Sequence, residues 1–178
     1  MATKYKMDQV SIRMVKEPPL ISDKPIKGPE SAVDIIADYL GDFDRELMVL
    51  VNLRSDGKPI NMNVMSIGTI NASMACPREA LKVSILSNAA SVMFFHNHPS
   101  GNLKPSREDI MATDKMIKAY RLLDIMVLDH IIVGPGRMFY SMYADGTFER
   151  PCNEYCEILK DLSFDDFRPK KQGQGKER

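Results

Sequence analysis

The residues with the clearest capacity for chemistry lie in one short segment, 96–109. His96 and His98 are two positions apart at the end of a predicted strand, where side chains at i and i+2 point to the same side. Asp109 falls in the first turn of the predicted helix that follows, and the intervening loop can fold back towards the histidines. Two histidines and one carboxylate leave a fourth tetrahedral position for water, which is typical of a catalytic zinc site. The spacing therefore predicts one zinc ion per chain.

A second interpretation of the same residues needs no metal. Ser106 is a preferred N-cap residue, and an acidic residue at position 109 completes a capping-type helix start. His96 and His98 would then be ordinary residues at a strand end. The two interpretations are compatible, because a cap fixes the loop that presents Asp109. From these residues alone both stay open.

Hydrolysis by a zinc-activated water also needs a general base. Zinc lowers the pKa of bound water to about 7, and a nearby carboxylate can pass the proton to the leaving group. Glu46 opens an apolar strand, Glu79 lies in a first helical turn where the helix dipole already favours an acid, and Glu108 adjoins Asp109 on a different side of the helix. Spacing alone does not choose among these glutamates.

The elements that would position these residues alternate along the chain. Start signals and apolar spacing predict helices over 30–40, 77–87 and 106–123. Apolar runs predict strands over 46–53, 59–67, 91–95, 125–128, 130–133 and 138–143, with a hairpin turn at 55–57. The helix over 106–123 is expected to bury Ile110, Met111, Met116 or Ile117, and Leu122 or Leu123. This order predicts an α/β protein, a sandwich of helices around a mixed sheet.

The composition excludes some classes of partner. Hydrophobic residues make up 44% and charged residues 27%, as in an ordinary globular protein. Equal numbers of acidic and basic residues, 24 each, argue against binding nucleic acid through overall charge. No apolar stretch is long enough to span a bilayer, so no membrane partner is expected. Three cysteines and no apolar signal region favour a cytoplasmic location without disulfides.

The chain divides into three predicted parts. Residues 1–29 are Pro-rich and are predicted to form an extended arm with a short strand over 9–14, and residues 30–150 form one domain. Residues 151–178 form a polar tail, with a helix at the cysteines and disorder predicted over 161–178. The basic end of the tail could make a weak nucleic-acid or partner contact. Cys152 and Cys156 lack a second ligand pair and are expected to be free thiols. The oligomeric state is left open.

The spacing His96-x-His98 and Ser106-x-x-Asp109 resembles the JAMM signature of the JAB/MPN metalloprotease superfamily. Further segments, at 45–50, 68–72, 77–79, 96–101, 105–109 and 128–134, are similar to the RadC-type JAB domain of bacteria and mobile elements. The resemblance covers about residues 30–144. Several separated motifs in the same order make it specific.

This resemblance implies a cytidine-deaminase-like α/β/α sandwich around a mixed sheet. His96, His98 and Asp109 match the zinc ligands, Glu46 matches the general acid/base that holds the water, and Ser106 matches the serine that stabilises the oxyanion. The implied activity is peptide or isopeptide hydrolysis on a peptide or protein substrate. His130 is expected to be a buried, hydrogen-bonded histidine, and Asp129 is a candidate for orienting a neighbouring group.

Two further function classes stay open. One is a non-proteolytic, DNA-associated accessory protein of RadC or mobile-element type, supported only by the basic tail. The residues before position 30 are too few and too Pro-rich for the N-terminal helix-hairpin-helix-like region of full-length RadC proteins, which weakens this reading. The other is a zinc nuclease, for which Lys104 and Arg107 are the available phosphate-binding cations.

Overall fold

A computed structural model describes residues 14, 25–41, 43–67 and 76–148. The short strand predicted over 9–14 and the polar tail predicted over 151–178, with Cys152 and Cys156, lie outside the described residues, apart from Met14. The described part contains three α-helices and five strands. In chain order these are α1 (Pro29–Gly41), β1 (Leu47–Leu53), β2 (Pro59–Ile67), α2 (Pro77–Leu86), β3 (Ser91–Asn97), α3 (Arg107–Arg121), β4 (Met126–Val133) and β5 (Phe139–Ser141).

The five strands form one mixed sheet in the order β2-β1-β3-β4-β5. The β1–β2, β1–β3 and β4–β5 pairs are antiparallel, and β3 and β4 are parallel. A parallel pair needs a crossover connection, and α3 provides it. The predicted hairpin between β1 and β2 is confirmed.

Helices cover both faces of this sheet. Alternate residues of β1 point to opposite sides, so Val49 and Val51 pack in the cluster that includes α1, while Met48 and Leu50 pack in the cluster that includes α2 and α3. The α/β/α sandwich is confirmed. Its core therefore has two halves separated by the sheet.

The segment before α1 is tied to the hairpin turn. Ile26 is buried in the core, and its amide donates to the carbonyl of Gly57 at 2.9 Å. Gly57 has a φ of +76°, and a Cβ there would lie 2.9 Å from the Ile26 carbonyl oxygen. Only glycine meets both requirements.

Three strand predictions differ from the structure. β3 extends to Asn97, two residues further than predicted, because it pairs with β1 and β4 on both sides. β4 runs unbroken through Asp129, where two segments were predicted, and the carboxylate of Asp129 is satisfied by hydrogen bonds to neighbouring donors. β5 ends at Ser141 instead of continuing to position 143.

The predicted apolar face of α3 is confirmed at Met116 and wrong at its other positions. Ile110 and Met111 are 40% and 61% exposed, and Leu122 and Leu123, which follow the helix, are also exposed. The buried face instead carries Asp109, Thr113, Met116 and Tyr120. These residues follow helical spacing but are polar towards the N-terminal end, so apolar periodicity could not detect them. Within the described residues, no helix combines the length and apolar character needed to cross a membrane.

Candidate metal centre

The end of β3 and the start of α3 meet at one edge of the sheet. His96 lies in β3 on the side covered by α3, and His98 follows the strand, with its amide donating to the Val133 carbonyl at 2.8 Å. Asp109 occupies the first turn of α3 and points inward. The fold thus brings these three side chains together at the carboxyl end of two parallel strands, where α/β proteins commonly place their sites.

The ligand atoms of His96, His98 and Asp109 all lie within 4.8 Å of one another. The two Nε2 atoms are 2.9 Å apart, His96 Nε2 lies 3.4 Å from Asp109 Oδ1, and His98 Nε2 lies 3.9 Å from Asp109 Oδ2. A tetrahedral zinc ion with bonds of about 2.0–2.1 Å separates its ligand atoms by about 3.3–3.4 Å. The donor set and its spacing therefore fit zinc.

Burial keeps His96 and His130 neutral. His96, His98 and Asp109 are all buried, with only 1%, 8% and 3% of their surfaces exposed. Burial lowers the pKa of His96 to about 4, although the Asp109 carboxylate opposes this shift, and burial lowers the pKa of His130 well below its ordinary value. Neutral imidazole is the form that binds a metal, so no proton needs to be displaced from His96 at neutral pH.

Each candidate histidine ligand turns its Nδ1 atom away from the centre. His98 Nδ1 donates to the carbonyl of Asn102, and His96 Nδ1 lies 2.8 Å from Nε2 of His130. This leaves both Nε2 atoms directed inward. His130 is buried and hydrogen-bonded and does not belong to the ligand cluster, as predicted.

Ser106 caps α3 and holds the Asp109 carboxylate. Its hydroxyl accepts from the Asp109 amide at 3.1 Å, while its own amide and hydroxyl lie 2.7 Å and 2.6 Å from Asp109 Oδ2. Asp109 Oδ1 is left facing His96. The capping and metal-binding interpretations of this motif are therefore compatible, because the cap orients the carboxylate that would bind the metal.

A cleft of about 500 Å³ opens beside His98. Glu46, which directly precedes β1, lines it together with Ser106 and Glu108; Glu46 is half-buried and Glu108 is exposed. Glu79 is remote, since it pairs with Lys82 on the surface of α2. The structure thus separates Glu79 from Glu46 and Glu108, both of which line the cleft. The lining consists of Glu46, His98, Ser100, Asn102, Lys104, Pro105, Ser106 and Glu108.

Asn97 fixes the backbone on both sides of Glu46. Its side-chain oxygen accepts from the Leu47 amide at 2.6 Å, and its side-chain amide donates to the Arg45 carbonyl at 3.0 Å. Asn97 was not among the residues predicted from the sequence. Strand alternation offers a signal: the residue between two histidines that point one way must point the other way.

Asp129 holds the connection between β4 and β5. Its carboxylate accepts from the backbone amides of His130 and Tyr143 at 2.7 Å and 3.0 Å, and from the Ser141 hydroxyl. None of these three partners is a candidate ligand. These three contacts therefore do not orient a candidate metal ligand.

Comparison with known proteins agrees with this architecture and donor set. A family model described as RadC-like JAB domain matches residues 26–147. A UPF0758 protein of Desulforamulus reducens is 41% identical over 121 residues, covering 68% of this chain and 53% of that protein. A UPF0758 protein of Methanosarcina barkeri is 39% identical over 123 residues, covering 69% and 53% respectively. UPF0758 proteins of Moorella thermoacetica and Rubrobacter xylanophilus are 38% and 39% identical.

The fold and its buried His/His/Asp cluster are those of a JAB-type α/β domain with a possible metal site. This chain belongs to the RadC-like JAB domain family. It spans about half the length of the curated relatives that it matches.

Proposed function

We propose that this chain is a zinc-dependent hydrolase, of the metallopeptidase or isopeptidase class. The observation that supports the proposal best is the convergence of His96 Nε2, His98 Nε2 and an Asp109 carboxylate oxygen beside an open cleft. Three protein ligands with solvent access on the remaining side are typical of catalytic zinc sites. One zinc ion per chain is proposed.

When bound, zinc would lower the pKa of a water molecule to about 7 and polarise a substrate carbonyl. Glu46 lies on the cleft wall and is partly exposed, so its carboxylate can reach a water or a leaving group there. We assign it the general acid/base role. Asn97 holds the backbone on either side of Glu46, which keeps this carboxylate at the cleft.

Ser106 is proposed to donate its hydroxyl to the developing oxyanion. In the structure this hydroxyl hydrogen-bonds to Asp109 Oδ2 at 2.6 Å, so the oxyanion role requires the hydroxyl to rotate towards the cleft. Because the Ser106 amide also holds Oδ2, the carboxylate keeps one hydrogen bond during that rotation.

The charges of the cleft give a phosphodiester no advantage over an amide substrate. Two carboxylates, Glu46 and Glu108, line the cleft, against one cation, Lys104. Arg107 is exposed and is not among the lining residues. With the proposed zinc ion and the Asp109 carboxylate included, these charges sum to zero, so a phosphate gains no net attraction here and a neutral peptide carbonyl needs none.

Metal analysis combined with a cleavage assay tests the proposal. The wild type and Glu46→Gln should each hold about one zinc per chain, and only the wild type should cleave members of a library containing peptide and lysine isopeptide bonds. His96→Ala and Asp109→Ala should lose the zinc. Glu79→Gln is the matched control, because Glu79 lies outside the cleft.

Zinc-free wild-type protein, or cleavage that survives in Glu46→Gln, would overturn the assignment. The assays should be run under reducing conditions, since an odd number of cysteines favours a reducing compartment such as the cytoplasm.

A further inference from the structure

We propose that Thr113 and His130 form a positioning relay that determines which nitrogen of His96 is free to bind a metal. The relay joins α3, β4 and β3: it begins at the backbone carbonyl of Asp109, whose side chain is another candidate ligand, and ends at His96. The proposal rests on the zinc site proposed above and assigns it two residues outside the ligand set.

The relay begins at a group that can only accept. The hydroxyl of Thr113 donates to the Asp109 carbonyl at 2.7 Å, one helical turn earlier in α3. With its single hydrogen used there, the Thr113 oxygen must accept from Nδ1 of His130, which lies 2.5 Å away. His130 therefore carries its proton on Nδ1.

The next step follows from the chemistry of a neutral imidazole, which has one donor and one acceptor nitrogen. With the proton of His130 on Nδ1, its Nε2 accepts from His96 Nδ1 at 2.8 Å. His96 then has a lone pair on Nε2, the atom that faces His98 and Asp109. The direction of the Thr113 hydroxyl thus decides the tautomer of a candidate ligand two hydrogen bonds away.

His98 reaches the same state by a separate route. Its Nδ1 faces the Asn102 carbonyl, which can only accept, so its Nε2 also has a lone pair. Two lone pairs 2.9 Å apart, next to a carboxylate, repel one another unless a cation lies between them. The relay therefore prepares the centre for a cation.

The opposite order of protons would block the centre. If the Thr113 hydroxyl turned to His130 Nδ1, the proton of His130 would lie on Nε2 and that of His96 on its own Nε2, where it would bond to His98. Thr113 and His130 are each only 1% exposed, so water does not replace a missing partner. Without the Thr113 hydroxyl, no group holds the proton of His130 on Nδ1, so the tautomers of His130 and His96 should no longer be fixed.

Zinc affinity, measured by competition with a chelating dye, tests the relay without an activity assay. Thr113→Val keeps the side-chain shape and loses the hydroxyl, and Thr113→Ser restores the hydroxyl. We expect Thr113→Val to weaken zinc binding by about 10–100-fold and Thr113→Ser to stay within a few-fold of the wild type. His130→Phe, which removes both nitrogens, should weaken binding at least as much as Thr113→Val. Affinities of Thr113→Val and His130→Phe equal to the wild type would overturn the relay.

The nitrogen-15 NMR spectrum of the zinc-free wild type tests the same inference without any variant. The relay requires the proton of both His96 and His130 to be on Nδ1. A proton on His96 Nε2 would overturn it even if Thr113→Val failed to fold. A wild type that binds no zinc refutes the proposed function, whereas a wild type that binds zinc with the opposite tautomers refutes only the relay.

Discussion

Helix α3 carries a buried polar cluster at each end, and the two clusters differ in one respect. At its N-terminal end Asp109 and Thr113 join the candidate metal centre. At its C-terminal end Tyr120 joins a second cluster, the Asn52 network. Both clusters lie on the same face of the sheet and bury polar side chains. The Asn52 network consists of Asn52, Asn61, Ser84, Ser87 and Tyr120.

The Asn52 network is a chain of hydrogen bonds in which every donor has an acceptor. The Tyr120 hydroxyl bonds to the Ser84 hydroxyl at 2.8 Å, and Ser84 donates to Asn52 at 2.6 Å. Asn52 donates to Asn61 at 2.8 Å, and Asn61 donates to Ser87 at 2.9 Å. The chain ends where the Ser87 hydroxyl donates to a carbonyl of α2.

The candidate metal centre also has one end at a helix carbonyl, that of Asp109, but its other end differs. In the proposed relay, the last atom of the chain is His96 Nε2. Its lone pair faces the lone pair of His98 Nε2 and the Asp109 carboxylate. A buried polar cluster in which donors and acceptors are matched is accounted for by a structural role alone. A cluster in which three acceptors converge is suited to a cation, and this difference distinguishes a candidate site from a structural network.

The largest expected effect is the response to zinc. Zinc at one hundred times its dissociation constant should raise the free energy of unfolding of the wild type by about 2.7 kcal/mol. His98→Ala removes one of the three candidate metal ligands and should abolish this response, whereas Tyr120→Phe in the Asn52 network should retain it. Urea unfolding with and without zinc measures the difference. Equal zinc stabilisation of wild type and His98→Ala would contradict the comparison.

The second effect concerns pH. Because burial lowers the pKa of His96 to about 4, the folded metal-free chain leaves this ring neutral while the unfolded chain protonates it near pH 6.5. The unfolded state then binds more protons, so stability falls as the pH drops through this window. We expect His96 to contribute a loss of roughly 2 kcal/mol between pH 7 and pH 5. His130, whose pKa is also lowered, adds to the loss in the same direction.

Urea unfolding in a chelating buffer at the two pH values checks this expectation. His96→Gln should flatten the dependence. Burial raises the pKa of Tyr120 to about 12, so the Asn52 network does not titrate in this range and Tyr120→Phe should keep the wild-type slope. A slope unchanged in His96→Gln would show that the pH sensitivity lies elsewhere.

A smaller effect is expected within the Asn52 network. Tyr120→Phe preserves the ring, which packs edge-on against Phe94, and removes one hydrogen bond to Ser84. The free energy of unfolding should fall by about 0.5–1.5 kcal/mol. Zinc affinity should not change, since Tyr120 belongs to the other cluster. A tenfold change in zinc affinity would show that the two clusters are coupled through α3.

The smallest effect is expected on the outer face of α3. Met111 is 61% exposed, so Met111→Gln should change the free energy of unfolding by less than about 0.5 kcal/mol and leave zinc binding intact. Chemical denaturation with and without zinc measures both quantities. A loss above 2 kcal/mol would instead indicate that Met111 is buried, as the apolar spacing of this helix predicted.

Local patterns were sufficient for much of the fold. Helical and strand spacing located three helices and five strands to within a few residues, although β4 was predicted as two segments, because each pattern depends on near neighbours in the chain. The cap was equally local: Ser106 and Asp109 lie three residues apart, so their contact is readable from the sequence. The pair His96 and His98 was readable for the same reason.

Long-range contacts could not be read in this way. The bond between Asn97 and the Leu47 amide joins residues 50 apart, and the bond between His96 and His130 joins residues 34 apart. Glu46 was nominated by residue type and selected by family resemblance, and the structure places it at the cleft while Glu79 lies away from it. Which glutamate lies at the cleft depends on which strands pair, and local patterns do not specify that pairing.

The sequence by itself determined the donor types of the centre, two imidazoles and a carboxylate at a strand end and a helix start. Only the tertiary structure decided that these donors converge, that α3 turns Thr113 inward instead of Met111, and that His130 stands behind His96. The physical reason is that donor chemistry belongs to single residues, whereas the direction of a lone pair depends on hydrogen bonds made across three elements of the fold.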